Sequence, residues 1–190
     1  MKGINNMENN NYETVVDVRD LHVSFRTFKG NLKVLNGVNM QVHRGEKISI
    51  VGESGCGKTT TVNSIAQILA RQANVDKGEI YFNGKNVFKM SPKELKYLRG
   101  QGISVIFQDP IASLNPVFTV GAQMKDVIYY SGIEGASSKE VQYEKVINAL
   151  KETSLPDPER IMENYPFQLS GGMRQRICIA MSLSTPRQLV

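Results

Sequence analysis

Gly52-Glu53-Ser54-Gly55-Cys56-Gly57-Lys58-Thr59, continued by Thr60 and Thr61, fits the pattern G-x-x-x-x-G-K-[ST]. The residues on either side give the pattern its meaning. Lys47-Ile48-Ser49-Ile50-Val51 ahead of it alternates and is rich in β-branched residues, whereas Val62, Ile65, Ala66 and Leu69 behind it recur at helical spacing. The spacing predicts a strand, a loop and a helix. Glycines at 52, 55 and 57 let the main chain wrap closely round an anion, with successive N–H groups and the positive end of the helix dipole aimed at it. In such a loop Lys58 reaches the β and γ phosphates of a nucleotide and the Thr59 hydroxyl ligates magnesium, while Glu53, Ser54, Cys56 and Thr60 complete the cradle. The plainer alternative is a Gly-rich turn beside an unrelated lysine, and the elements flanking the motif argue against it.

The chain has 190 residues, of which 41% are hydrophobic, enough for a packed α/β domain or part of a larger one. No apolar run approaches the roughly 20 residues that cross a bilayer, and residues 1–12 have no apolar core of a signal peptide. The expectation is a cytoplasmic chain. Cys56 in the loop and Cys178 in an expected helix are too sparse for a disulfide framework or a metal site, which suits a reducing compartment. A formal charge of +5 raises nucleic acid as a partner, but the basic residues are scattered, so none is expected.

Residues 1–12 are rich in asparagine and poor in apolar side chains, the composition of a loose tail. Val15 to Phe25 and Leu32 to Val42 then read as two strands about a turn near Lys29-Gly30-Asn31. Phe25, or alternatively Phe28, stands at a strand end where it could stack on a purine, although an aromatic in a strand commonly just packs. Gly78 to Phe82 is a third strand, turning at Asn83-Gly84 and returning through Val87-Phe88. Ser91-Pro92-Lys93-Glu94 is a capping box that opens a helix, and Ile103 to Phe107 is a short strand stopping at Gln108-Asp109-Pro110.

Beyond Pro110 the periodicity becomes helical. Val120, Met124, Val127 and Ile128 share one face; Tyr143, Val146, Ile147 and Leu150 share another, on a helix capped by Ser137 with Glu140. The organisation expected is a β subdomain plus loop-bearing core over 13–110, a helical insertion over 111–168 and a returning helix over 169–190. That last helix is opened by Leu169-Ser170-Gly171-Gly172-Met173-Arg174-Gln175-Arg176, with Ser170 as N-cap and two glycines exposing backbone N–H groups. It is a second anion-binding helix start, more than one nucleotide in one subunit needs.

The loop at 52–59, Gln108 at a strand end, the helical insertion and Leu169-Ser170-Gly171-Gly172-Met173 together resemble the ATP-binding subunit of an ABC transporter. The likeness runs from about Val16 to the C-terminus. Phe107-Gln108-Asp109-Pro110, Ser113-Leu114-Asn115-Pro116 and Tyr165-Pro166 are similar to the dipeptide, oligopeptide and nickel importer branch. The resemblance implies an α/β fold: a P-loop NTPase core of the ABC ATPase type with an N-terminal antiparallel β subdomain and a helical insertion. It makes Phe25 the adenine-stacking residue, assigns ATP and Mg2+ to 52–60, and makes Gln108 a magnesium-touching switch that acts in catalysis with Lys58. Leu169, Ser170, Gly171, Gly172, Met173 and Gln175 would form the signature that meets the ATP held by a second ATP-binding subunit. The other implied partners are transmembrane permease subunits and, indirectly, a substrate-binding protein, with the chain peripheral on the cytoplasmic face of the plasma membrane.

In that family the signature helix leads to a strand ending in an Asp and a Glu that serve magnesium and water, followed by a switch histidine. The chain reaches Val190 where that strand would start, so these groups are not expected among its residues. The resemblance therefore implies binding of ATP without hydrolysis by this portion alone, and open strand edges that favour aggregation. His22 and His43 lie upstream of the loop and read as surface or strand residues. Asp109, after an apolar run, is an alternative magnesium ligand in P-loop enzymes of other kinds. Competing functions are a non-catalytic nucleotide-binding fragment and a soluble ABC ATPase acting on DNA or ribosomes.

Overall fold

A computed structural model describes residues 13–190; the tail expected over 1–12 lies outside the described residues. The chain divides into two compact units at Met90 and Ser91.

The first unit is built on the strands β1 (Thr14–Thr27), β2 (Gly30–His43), β3 (Ala73–Phe82) and β4 (Lys85–Asn86), with helix α1 (Lys58–Ile65) between β2 and β3. All three pairings are antiparallel and the sheet order is β2-β1-β3-β4. β1 is central because its apolar residues are nearly continuous: Val15, Val16, Val18, Leu21 and Val23 are all buried. Each such side chain contributes about 1.5–3 kcal/mol when taken from water. Asp20 interrupts the run with φ 45°, and the register shifts beside it against both neighbours. The bulge turns the Asp20 carboxylate to Lys77 (2.6 Å) and His22 (2.9 Å), which hold it below the usual carboxylate range, the Lys77 hydrogen bond chiefly. His43 pairs with Glu46 at 3.0 Å, so both histidines are strand residues with structural partners.

The β1–β2 turn is Phe28-Lys29, with Thr27 paired to Gly30. At Asn83-Gly84 both residues have positive φ, as a two-residue hairpin turn of this hand requires. The return strand is shorter than the sequence suggests: it ends at Asn86, whose side chain accepts from Phe88 N–H and starts a single 3-10 turn over Val87–Lys89.

The second unit contains α2 (Pro92–Tyr97), α3 (Pro110–Ser113), α4 (Val120–Ser131), α5 (Lys139–Glu152), α6 (Pro158–Glu163) and α7 (Gly171–Leu183). Met124, Ile128, Val146, Leu150, Ile161 and Ile177 are fully buried at its core. The expected capping box is present, with Ser91 accepting from Glu94 N–H and Glu94 accepting from Ser91 N–H. Residues 91–113 belong with this unit because the turn at 98–102 packs on α4 and α3 packs on α7.

Four local expectations are corrected. The runs at 47–51 and 103–107 are not laddered strands. A strand exists by pairing, and among the described residues the second run gains only the parallel bridge Ile103 to Leu189, with Ser104 N–H donating to Leu189 O at 2.9 Å. Ile48, Ile50, Val51, Ile106 and Phe107 are accordingly exposed. Helix α1 stops at Ile65, so Leu69 lies beyond it, and Val62 faces solvent; Thr61, Ser64 and Ile65 form its buried face. It is ended by a Schellman arrangement in which Gln67 takes φ 57° and Ile68 N–H reaches Asn63 O at 2.9 Å. The cap of α5 is Ser138, not Ser137: Ser138 Oγ accepts from Val141 N–H and donates to Glu140 at 2.7 Å. Tyr143 on that helix is exposed, while Ala149 joins the buried face. Ser138→Ala is expected to lower stability by about 1 kcal/mol, whereas Ser137→Ala stays within about 0.5 kcal/mol. Urea unfolding of the two variants checks the assignment.

Candidate functional site

The loop 52–57 turns from an extended approach into α1 through two left-handed residues, Gly55 (φ 82°) and Gly57 (φ 99°). At Gly57 a Cβ would lie 2.5 Å from Leu35 Cδ2 and 3.3 Å from Val34 O, so β2 presses on the helix start and leaves room for hydrogen alone. Gly57 is also the N-cap, and no side chain caps α1. By contrast α2, α4, α5, α6 and α7 each begin with a side-chain oxygen accepting from the first turn. The first-turn N–H groups of α1 are thus left to an external acceptor.

Lys58 lies over this opening. Its Nζ donates to Gly52 O and Glu53 O at 2.7 Å each and stands 3.7 Å from Cys56 Sγ. The ammonium is held by neutral carbonyls rather than by a carboxylate, so its charge is available to an anion. Thr59 is exposed in the first turn; Thr61 is buried and donates to Gly57 O at 3.1 Å, a structural task. Glu53, Ser54 and Cys56 are exposed along the rim and Thr60 is part-buried. An amine held by uncharged groups, an uncapped helix start and a Cβ-excluding cradle fit a polyphosphate.

Phe25 is part-buried near the end of β1, opposite Leu32 on one side and Ala73 on the other, while Phe28 is fully exposed in the turn. Both aromatics therefore belong to the loop-bearing unit. Gln108 lies in the other unit, exposed in the stretch before α3. Asp109 beside it accepts from Ala112 N–H at 3.3 Å, and Ser113 Oγ donates to Asp109 O at 2.7 Å, so Asp109 opens α3.

The second helix start is built differently. Leu169 is buried and Met173 packs against the helical core, anchoring the turn, whereas Ser170, Gly171, Gly172 and Gln175 are exposed. Ser170 Oγ accepts from Met173 N–H at 3.3 Å, which leaves its own O–H to donate outward. A Cβ at Gly171 or Gly172 would meet nothing within 4 Å, so the approach to these N–H groups is open. Arg176 Nη1 donates to Ser154 O at 2.9 Å and ties α7 to the turn after α5. That contact and the short helix α6, with Asp157 as its cap, were not singled out from sequence. An Asp-Pro pair ahead of Glu159 is the signal that could have placed α6.

Residues 35–190 match the family described as ABC transporter. This chain belongs to the ABC transporter family. Among curated ABC relatives it is 43% identical over 172 residues to the dipeptide transport ATP-binding protein DppD of Bacillus subtilis, covering 90% of this chain and 50% of that one. It is 42% identical over 179 residues to the probable peptide ABC transporter ATP-binding protein y4tR of Sinorhizobium fredii, covering 94% and 52%. The chain spans about half the length of the curated relatives it matches. Its fold is similar to the dimeric, post-hydrolysis structure of the ATP-binding cassette MJ0796 bound to ADP and Pi, with TM-score 0.78, 28% identity, and coverage of 90% of this chain and 70% of that one. The α/β fold of an ABC ATPase cassette, expected from the loop and the Leu-Ser-Gly-Gly stretch, is therefore the fold found.

Proposed function

We propose that residues 1–190 are the nucleotide-binding portion of an ATP-driven importer of peptides. The observation that carries this is the pairing, in one chain, of an uncapped lysine-bearing helix start at 57–58 with an open serine-glycine helix start at 170–172. The first unit holds the triphosphate of ATP: N–H groups of the loop and of α1 bind its oxygens, Lys58 turns from the carbonyls of Gly52 and Glu53 toward them, and Phe25 stacks on the base. Thr59 would hold Mg2+ together with phosphate oxygens, and the ion would neutralise charge on the phosphates. A single hydroxyl is a weak ligand by itself, and among the described residues no cluster of His, Cys, Asp and Glu is suited to a metal. Gln108, exposed ahead of α3, is the residue proposed to sense that ion.

Ser170, Gly171 and Gly172 of a second copy, or of a similar ATP-binding subunit, close over the same triphosphate. ATP then favours the closed pair, and transmembrane permease subunits, against which this chain sits peripherally on the cytoplasmic face of the membrane, draw work from closure. Support for peptides as cargo is the set of relatives named for dipeptide and oligopeptide transport. Within residues 1–190 we assign no acidic pair to water activation, so this portion binds ATP without turnover above background. An ATPase assay run beside a nucleotide-binding titration tests this: binding with turnover contradicts the assignment, and absence of binding contradicts the whole reading. Co-fractionation with membranes bearing a peptide permease separates the importer from a soluble ABC ATPase.

A further inference from the structure

Tyr165 and Phe167 stand just ahead of the serine-glycine helix start, their rings stacked with centroids 5.6 Å apart and planes 15° apart. Phe167 is nonetheless 68% exposed. The main chain fixes the pair in place. Pro166–Gln168 is a single 3-10 turn, and Pro166 and Leu169, on either side of the exposed residues, are buried. Tyr165 N–H donates to Gln168 Oε1 at 2.7 Å, Gln168 N–H to Tyr165 O at 3.0 Å and Leu169 N–H to Pro166 O at 3.2 Å. The buried helical core draws on residues from Leu114 to Ala180 and takes in neither ring. Tyr165 therefore backs Phe167, and the solvent side of Phe167 is left as a rigid aromatic plate.

The plate is close to the anion-binding turn. Leu169 and Ser170 have extended backbone, with ψ 148° and 161°. Three residues of chain span at most about 10 Å, so Phe167 Cα stands no further than that from Ser170 Cα. A nucleoside triphosphate sets its base at a comparable remove from its γ-phosphate, across two further phosphates and a sugar. No side chain within 165–172 is charged, so the plate offers a π face, the surface that recognises a nucleobase rather than a phosphate.

We propose that Phe167, backed by Tyr165, stacks on the base of the ATP over which Ser170, Gly171 and Gly172 close, the nucleotide held by the second copy. This contact rests on the pairing of copies proposed above and adds a determinant of nucleotide choice to it. The base lies between Phe25 of the copy that holds it and Phe167 of the copy that closes over it. Purine triphosphates then drive pairing better than pyrimidine ones, because a larger ring system covers more of the plate.

Sedimentation equilibrium of the wild-type chain, Phe167→Ala and Phe167→Leu, each saturated with Mg-ATP or Mg-CTP, tests it. Saturation removes differences in filling the first site, so the comparison reads pairing alone. Phe167→Ala is expected to weaken the Mg-ATP dimer at least about fivefold, the effect of removing one base–aromatic stack, and the Mg-CTP dimer about twofold or less. Phe167→Leu keeps an apolar side chain without a π face and is expected to lose the preference for ATP too, which covers the case that Phe167→Ala folds poorly. A ring with only a structural task weakens both dimers equally. That result, or a Phe167→Ala chain that pairs in Mg-ATP as tightly as wild type, overturns the stacking contact and leaves the pairing of copies standing. A wild-type chain that stays monomeric in Mg-ATP overturns both.

Discussion

Lys58→Ala is expected to erase the thermal shift that Mg-ATP gives the wild-type chain. Ligand at about 100 times its dissociation constant stabilises the folded state by about 2.7 kcal/mol. For a chain of this size each kcal/mol moves the midpoint by about 2–4 °C, so the wild-type shift is roughly 5–11 °C. The expectation rests on where the amine sits: Nζ bridges Gly52 O and Glu53 O at 2.7 Å and needs only a side-chain rotation to meet phosphate oxygens. No other basic side chain belongs to the 52–59 loop. A shift of wild-type size in Lys58→Ala would place the nucleotide elsewhere.

Gly78→Ala is expected to be the most damaging single methyl addition in the sheet, lowering stability by about 3 kcal/mol or more. Gly78 has φ 102°, and a Cβ there would lie 2.3 Å from Asp20 O, 2.6 Å from Leu21 Cα and 2.7 Å from Arg19 O. All three are backbone atoms of the central strand at its bulge, so none can swing aside. Gly45→Ala is the matched control: φ is 77° but nothing lies within 4 Å, so only the backbone strain of about 1–2 kcal/mol applies. Denaturant midpoints for the pair separate crowding from strain, and equal losses would contradict the packing described for the bulge.

The parts of this fold that were legible in the sequence are those whose causes are local. β1 and β2 follow from β-branched runs, the Asn83-Gly84 hairpin from two residues able to take positive φ, and the α2 capping box from Ser91 and Glu94. The glycine-lysine loop and the Ser170 cap were equally readable, because each is set by a few adjacent residues. What failed was what depends on partners distant in sequence. Ile48, Ile50 and Ile106 carry strand propensity, yet propensity does not supply the neighbouring ladder. Val62 falls on the helical repeat with Ile65 and Ala66, but what α1 packs against decides which face is buried, and Gln67 ends it early. The bulge at Asp20 and its pressure on Gly78 involve residues on two strands, which no single-strand pattern encodes.

The claim on which the account turns is that the lysine-bearing loop of one copy and the serine-glycine turn of another meet over one triphosphate. Sedimentation velocity in Mg-ATP tests it most directly, with Gly171→Arg as the variant, since the space around Gly171 is open and an added side chain leaves the fold in place. The account predicts that the wild-type chain shifts from monomer to dimer on adding Mg-ATP, and that Gly171→Arg binds ATP but stays a monomer. A wild-type chain that stays monomeric at saturating Mg-ATP, or a Gly171→Arg chain that dimerises as readily, would contradict it.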